Sequence, residues 1–573
     1  MSWKTDIRVV VGIDFGTTYS GFSLSHVEED IKGISTNDEW PAVMGLSGGI
    51  GQLKTNTALQ YTDDFEEVEL WGQPAMYKKP NKKNKEKKPI ELFKLFLGNC
   101  IDKYKPKLPK KVTYKRAITD YLCEVGKFIK EIVTQKWTEI DFMQDVLLVL
   151  TVPAEYSEND KAIMRECLFN AGLIADKCSE KLQFTTEPEA AAIYCMYSTL
   201  REHELAEPGT TFMIVDCGGG TVDLTTRKLL EGNQLGEVTE RAGDFCGSTF
   251  IDKKFIELLK REVGKSAVNS LNENHYGQLQ YIVQEFCQNI KLPFTGDDPD
   301  VNHEMDLEDI APALLEYVTG SEKDLMERKE WIIELDFNTV KSMFDPIVDR
   351  IIEMIRVQLD NSSKKCSAIF LVGGFGQSKY LQTRIEEEFN DLVDNISIPT
   401  SPIAAVSRGA TIYGKSLYES ENLKTTNNLK CVIATRVLNH TFGIKISPLW
   451  EDGDPPDRIT TNERIHKFHC IVERKTEVNT NQEFLVENLV PTHPDQTKLS
   501  FEIFYTKEYS AVYCDEPGMT LLGNLIIDLP DVNLGIKRRC TFSLTFGDME
   551  IKAKAFNQTN GQNYQTNFEL NNI

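Results

Sequence analysis

Short apolar runs that end at an acid and then at glycine recur along the first two thirds of this chain, and strict alternation replaces them toward its end. Val9, Val10 and Val11 lead into Gly12-Ile13-Asp14-Phe15-Gly16-Thr17-Thr18-Tyr19-Ser20. Phe212-Met213-Ile214-Val215 lead into Asp216-Cys217-Gly218-Gly219-Gly220-Thr221-Val222-Asp223. Each pattern predicts a buried strand closed by a tight glycine turn. Such a turn lets backbone N–H groups approach an anion, while an aspartate beside it can hold a cation or the waters around one. Either stretch alone reads equally well as an ordinary hairpin bend. Two copies of one grammar, far apart in the chain, argue instead for two lobes that each contribute a turn.

The segments between fill out an α/β pattern. Residues 7–25 read as a hairpin and 117–137 as a helix with Ile118, Tyr121, Leu122, Val125, Ile129 and Ile132 on its apolar stripe. A buried strand over 146–152 closes at Pro153, and Ser157 with Asp160 caps a helix that stops at Gly172. Glu187-Pro188-Glu189-Ala190-Ala191-Ala192 opens a further helix with proline at its first position. Its positive end would hold Glu187 ionised, although a plain helix cap explains that residue as well. Gly243-Asp244-Phe245-Cys246-Gly247-Ser248 precedes a helix over 250–263, and another is expected over 276–291. The acidic stretch 296–309 reads as an exposed loop and 338–360 as an amphipathic helix. Ala368-Ile369-Phe370-Leu371-Val372-Gly373-Gly374 is strand and glycine turn, and 402–413 is a last helix with small residues for close packing.

Between 415 and 430 the composition turns polar, the best candidate for a domain boundary. Beyond it Cys540, Phe542, Leu544 and Phe546 alternate with Thr541, Ser543 and Thr545, Gly547-Asp548 supplies a turn, and 499–505 and 549–556 read as further strands. This part is expected to be all-β with one buried face per sheet. The predicted division is residues 1–418, a linker over 419–434, and 435–573.

Composition narrows the classes. A chain of 573 residues needs more than one core. Its 41% hydrophobic and 26% charged content is that of a soluble globular protein. A formal charge of −23 argues against nucleic-acid or anionic-membrane partners, because their phosphates would be repelled. No apolar run is long enough to span a bilayer, and no leader-like segment precedes the first strand, so a cytoplasmic (or nuclear) protein is expected. The 13 cysteines include no C-x-x-C pair, which suits reduced thiols. His466, His469 and Cys470 read as strand residues rather than metal ligands. The glycine-rich 45–51 lacks a following Gly-Lys-Ser/Thr and reads as a loop. The basic run 78–88 reads as a solvated loop or as a docking site for an acidic partner.

Five motifs in order resemble the seventy-kilodalton heat-shock protein (heat shock protein 70) family of chaperones, within the actin-fold ATPases. They are the stretch from Gly12 to Ser20, L-T-V-P-A-E-Y from Leu150, E-P-E-A-A-A-I from Glu187, the stretch from Ile214 to Asp223, and L-V-G-G from Leu371. Met519-Thr520-Leu521-Leu522-Gly523 and Leu529-Pro530 are similar, more loosely, to that family's β-sandwich for extended peptides. The resemblance implies a duplicated, ribonuclease H-like actin-type ATPase domain followed by an all-β sandwich, here in an atypical, divergent member.

It further implies ATP or ADP with Mg²⁺ as ligands. Asp14 and Asp216 would position the metal through its waters. Gly16, Thr17, Thr18 and Tyr19 from one lobe and Gly218, Gly219, Gly220 and Thr221 from the other would clasp the phosphates. Glu187 would orient the attacking water, Thr17 and Thr221 would lie near the γ-phosphate, and Lys94, embedded in Glu91-Leu92-Phe93-Lys94-Leu95-Phe96, is the candidate catalytic lysine. Gly373 and Gly374 would border the ribose and α-phosphate, Lys291 would lie at the adenine, and Gly247 would also belong to the nucleotide-binding set. Two departures stand out: Leu292 takes the place of a stacking arginine, and Ile403 that of an acid in the adenosine pocket. The acidic, leucine-rich interdomain linker is also missing, Cys431-Val432-Ile433-Ala434 being its nearest equivalent. The family's partners are unfolded or extended polypeptides and co-chaperones. The first functional reading is an ATP-hydrolysing chaperone-like protein, the second a nucleotide-regulated scaffold or sensor that does not hydrolyse, and the third a small-molecule kinase.

Overall fold

The structure, a computed structural model, describes residues 6–41, 51–76, 88–98, 100–362, 364–419, 432–460, 462–479, 482–546 and 551–567. The glycine-rich residues 45–50, the basic run up to 87, the polar stretch 420–431 with Cys431, and the Gly547-Asp548 turn lie outside them.

Two sheets carry the first part of the chain, and they have the same plan. In one, the strands Ser35–Thr36, Tyr19–His26, Val9–Phe15, Val146–Val152 and Leu182–Thr186 lie side by side. In the other the order is Gln234–Glu237, Val222–Leu230, Thr211–Cys217, Ala368–Val372 and Asn395–Ser397. Each has an antiparallel hairpin at one side and parallel partners at the other. The duplicated lobes expected from the two acid–glycine turns are therefore present. Both faces of each sheet are covered, which is why the strands are continuously apolar rather than alternating. Val9, Val11 and Ile13 face a core shared with the Tyr114–Lys136 helix, while Val10 faces a second core between the lobes.

That interlobe core is built on two crossing helices, Glu187–Tyr197 and Ala405–Glu419. Their approach depends on small residues: a methyl group at Gly409 would overlap the carbonyl of Ala190. The last helix runs beyond the expected 402–413 because Leu417 continues its buried stripe. Thr186 caps the other, which puts Pro188 second rather than first. The expected helix over 276–291 is α-helical only over Tyr276–Phe286 and then widens into a π-turn over Cys287–Lys291, a feature that recurs at functional sites.

One expectation fails. The acidic stretch 296–309 is not a loop: Asn302–Asp306 pairs with Ile332–Asp336 and is followed by a helical turn, Leu307–Ile310. Met305 and Leu307 are buried against Ile333 and Leu335, and these few apolar positions outweigh the surrounding acids, which face outward.

Beyond residue 432 all helices are short 3₁₀ turns among the described residues, and two four-stranded sheets face each other. Phe442, Ile444, Phe501, Ile503 and Ile527 of one meet Phe542, Leu544, Ala553 and Ala555 of the other, with outward residues exposed in alternation. Lys467–Val472 is a strand, and no group of three or more side chains placed to ligate a metal ion directly forms among the described residues. The twelve described cysteines are all unpaired thiols. No helix among the described residues is long and apolar enough to cross a membrane.

The segment leading into this β module lies against the second lobe. Leu235 N–H donates to the Val432 carbonyl at 2.7 Å and Ala434 N–H donates back to Leu235 at 2.9 Å. Arg436 enters a fully buried cluster, reaching Glu189 at 3.2 Å, where Arg227 and Glu237 are also 3.0 Å apart. Burial opposes charge on Glu189, but Arg436 and then Arg227 outweigh it and hold the carboxyl well below its ordinary range. The second acid of E-P-E-A-A-A thus ties helix, lobe and β module together. Arg474 adds an ion pair to Glu240 at 2.9 Å.

Candidate functional site

The two turns meet. Asp14 and Asp216 are each the penultimate residue of the central strand of their sheet, opposite Gly21 and Asp223 respectively. Matching position in matching sheets brings both acids to the floor of one cleft, where Asp14 is 3% and Asp216 7% exposed. The glycines are required by contact between lobes: a methyl at Gly219 would overlap Thr18 Oγ1, and one at Gly220 would lie 2.9 Å from Thr17 Cβ. Gly373 has φ +79° and passes so close to the Cys217 carbonyl and Asp216 that no side chain fits.

These residues line a cavity of about 1130 Å³ between the lobes, large enough for a cofactor-sized ligand. Asp14, Gly16, Thr17, Thr18, Tyr19, Lys94, Glu187, Asp216, Gly218, Gly219, Gly220, Thr221, Lys291, Gly373 and Gly374 all reach its wall. Gly247 does not: it packs behind the glycine turn, where the N–H groups of Gly247, Ser248 and Thr249 donate to the carbonyls of Gly220, Gly218 and Gly219 at 3.3, 3.1 and 2.9 Å. It supports the turn rather than bordering a ligand. Leu292 and Ile403 also line the cavity, so the two departures noted in the sequence fall on its wall.

Lys94, at the floor, donates to Glu187 Oε1 at 2.7 Å and to the Phe15 carbonyl at 2.5 Å. Its short 3₁₀ turn, Phe93–Phe96, buries Phe93 and Leu95 and so points the lysine inward. Lys291 donates to Asp252 at 2.6 Å and to the Ser248 carbonyl at 2.9 Å. The π-turn sets this side chain at the wall.

Electrostatics mark the floor as short of positive charge. Burial first, then Glu187 and Asp14, push Asp216 well above the ordinary carboxylate range. Burial raises Glu187 too, with Lys94 opposing and Asp14 adding to the rise, so the expectation that the helix end alone holds Glu187 ionised is reversed in direction. Asp223, which accepts from Ala154 N–H at 2.9 Å, is pushed up to about 7 by burial and by Glu187. Carboxylates gathered without enough cations are what a hard divalent ion prefers, and all the donors are oxygens. Asp14 Oδ2 is itself buried, with the Lys54 ammonium 2.5 Å away. The residues therefore fit Mg²⁺ held through waters by Asp14 and Asp216, rather than a closed cage of direct ligands.

One residue at the floor was given no role by the sequence. Lys54 forms an ion pair with Asp14 Oδ2 at 2.5 Å. Burial disfavours its ammonium, but Asp14, Asp216 and Glu187 outweigh that and raise it above the ordinary lysine value. In Gln52-Leu53-Lys54-Thr55 nothing distinguishes it from a surface lysine. Only the pairing of Thr55–Asn56 with Tyr19–His26 carries it to the site.

The sequence model of the Hsp70 protein family matches residues 130–446, more than half of the chain. Heat shock 70 kDa protein 12A of Homo sapiens is 23% identical, across 97% of this chain and 90% of its own length. The Mus musculus protein of the same name is also 23% identical, across 100% and 93%. Heat shock 70 kDa protein 12B of Homo sapiens is 22% identical, across 99% and 92%. With duplicated sheets and facing acid–glycine turns beside this match, the chain belongs to the Hsp70 protein family, as a divergent member.

Proposed function

We propose that this chain binds ATP between its two lobes, hydrolyses it to ADP and phosphate, and uses the nucleotide to control polypeptide binding by its β module. The observation that carries the reading is the pair of turns closing on one cavity with the Lys94–Glu187 pair at its floor. Backbone N–H groups of Gly16 to Thr18 and of Gly219 to Thr221 clasp the triphosphate, the Gly218 N–H closing the turn on the Thr221 carbonyl at 3.0 Å, and the Thr221 hydroxyl lies toward the γ-phosphate. Glu187, fixed by Lys94, orients a water for in-line attack on the γ-phosphorus. The bond to the β–γ bridging oxygen breaks and ADP leaves with that oxygen. Asp14 and Asp216 would hold Mg²⁺ through its waters, an ion that when bound would supply charge neutralisation at the phosphates. Positioning and charge compensation carry the rate, and no covalent intermediate is needed. Closure of the lobes reaches the β module through the 432–437 segment docked on the second lobe. The division at 419–434, with a peptide-binding sandwich beyond it, belongs to the same proposal, as do the cytoplasmic setting and co-chaperone partners.

A second reading, nucleotide held as a conformational ligand without turnover, is favoured by the altered wall at Leu292 and Ile403 and by Lys94 being engaged on two sides. The test is Mg-dependent phosphate release by the purified chain and by Asp14→Asn and Thr221→Ala. Release that falls at least tenfold in both variants supports hydrolysis at this site. Release that is unchanged overturns the assignment, and tight binding with no release favours the second reading.

A further inference from the structure

The Asp14–Lys54 pair has a construction of its own. Asp14 stands opposite Gly21 in the hairpin register, and Thr55 pairs with Ser20 on the far side of the same strand. Lys54 therefore has to cross the strand at Gly21 to reach Asp14. It does so over the missing side chain: a Cβ at Gly21 would lie 2.9 Å from Lys54 Cγ and 2.7 Å from the Leu53 carbonyl. The lysine stem thus lies in a groove that glycine alone leaves open, and its ammonium ends among Asp14, Asp216 and Glu187 on the cavity floor.

The two lysines of the floor are not equivalent. Lys94 is held by Glu187 and by a backbone carbonyl, so its position is fixed from two directions. Lys54 is ion-paired with Asp14, and its side chain, on the cavity wall, keeps 17% of its surface exposed. A triphosphate entering beside three carboxylates is repelled unless a cation stands between them. Lys54 is a cation already tethered at that place.

We propose that Lys54 is a built-in counter-ion of the phosphate clamp, placed to pair with the phosphate oxygens of a bound nucleoside triphosphate so that the chain holds nucleotide without a divalent metal. This rests on the cavity being a nucleotide site. Lys54 exchanges Asp14 for phosphate oxygens when the nucleotide enters, and it competes with Mg²⁺ for Asp14.

The experiment is calorimetric titration of the full chain with ATP, in Mg²⁺ and again in EDTA. Wild type is expected to bind ATP in EDTA within about tenfold of its affinity in Mg²⁺. Lys54→Met is expected to lose about 100-fold in EDTA, the size of a charged contact left unpaired, and clearly less in Mg²⁺. Lys54→Arg, which keeps the charge, should restore metal-free binding, and equal melting temperatures without ligand exclude misfolding as the cause. Wild type that loses ATP on chelation as completely as Lys54→Met, or Lys54→Met that binds in EDTA as wild type does, overturns the inference while leaving the proposed function intact. Absence of ATP binding in both buffers overturns both.

Discussion

Removing Arg436 tests how firmly the β module is fixed to the nucleotide-type lobes. The Glu189 carboxylate is fully buried and takes 3.2 Å contacts from Arg436 Nε and Nη2, a 3.3 Å contact from Arg227 and a 2.8 Å hydrogen bond from Thr185. Breaking a buried ion pair costs about 3–5 kcal/mol. In Arg436→Met, Glu189 keeps Arg227 and Thr185, and the cluster is left with Glu189 and Glu237 against Arg227 and Arg241, so the lower end, about 3 kcal/mol, applies. Docking of 432–437 is intramolecular, and at 1.36 kcal/mol per power of ten the undocked population should rise about 100-fold. In Glu189→Leu the three arginines face Glu237 alone, so that variant should cost more.

The reporter is the Leu235 amide, whose N–H is protected by the Val432 carbonyl. Hydrogen exchange followed by mass spectrometry should show this amide opening about 100-fold faster in Arg436→Met, as the same energy implies. Amides of the Thr211–Cys217 strand should be unchanged. A change under about threefold at Leu235, or one shared equally by the core strand, would refute the reasoning, the first by showing a weak contact and the second by showing global destabilisation.

Other consequences follow from packing and protonation. Gly409→Ala gains up to about 1 kcal/mol of helix propensity but forces the two central helices apart, an overpacking cost of about 1–3 kcal/mol, so the melting temperature should fall by a few degrees; a rise would contradict the close crossing. His440 is lowered to about 4 by burial and by Lys507 and Arg474, so it is neutral when folded but takes a proton when unfolded below about 6.5. Stability at this position is complete above that value and is lost as pH falls from there toward 4. The melting difference between His440→Phe and wild type should therefore shift in favour of the variant between pH 7 and pH 5, and a constant difference would refute the assignment.

Much of this molecule was legible because its strands are buried on both faces and its turns need glycine. Those constraints leave continuous apolar runs and D-x-G patterns that survive divergence, and they located Asp14, Asp216 and the cleft between them. Lys94 was readable from an apolar setting in which a lysine has no business unless it is paired. The strand at Asn302–Asp306 was hidden because its burial rests on Met305 and the following Leu307 alone. Lys54 was hidden because its role depends on the tertiary pairing of a two-residue strand. Glu189 looked like part of a helix opening, and its partners Arg227 and Arg436 come from distant parts of the chain.

The central claim is that the facing turns form a site that hydrolyses ATP, and a single-turnover measurement tests it most directly. The chain is loaded with ATP and Mg²⁺, freed of unbound nucleotide, and its bound nucleotide is analysed over time. The account predicts conversion of bound ATP to ADP by wild type, slowed at least 100-fold in Glu187→Gln and in Lys94→Ala, within the range by which positioned general-base groups act. Bound ATP that persists unchanged in wild type, or that is converted at the same rate in both variants, would contradict it.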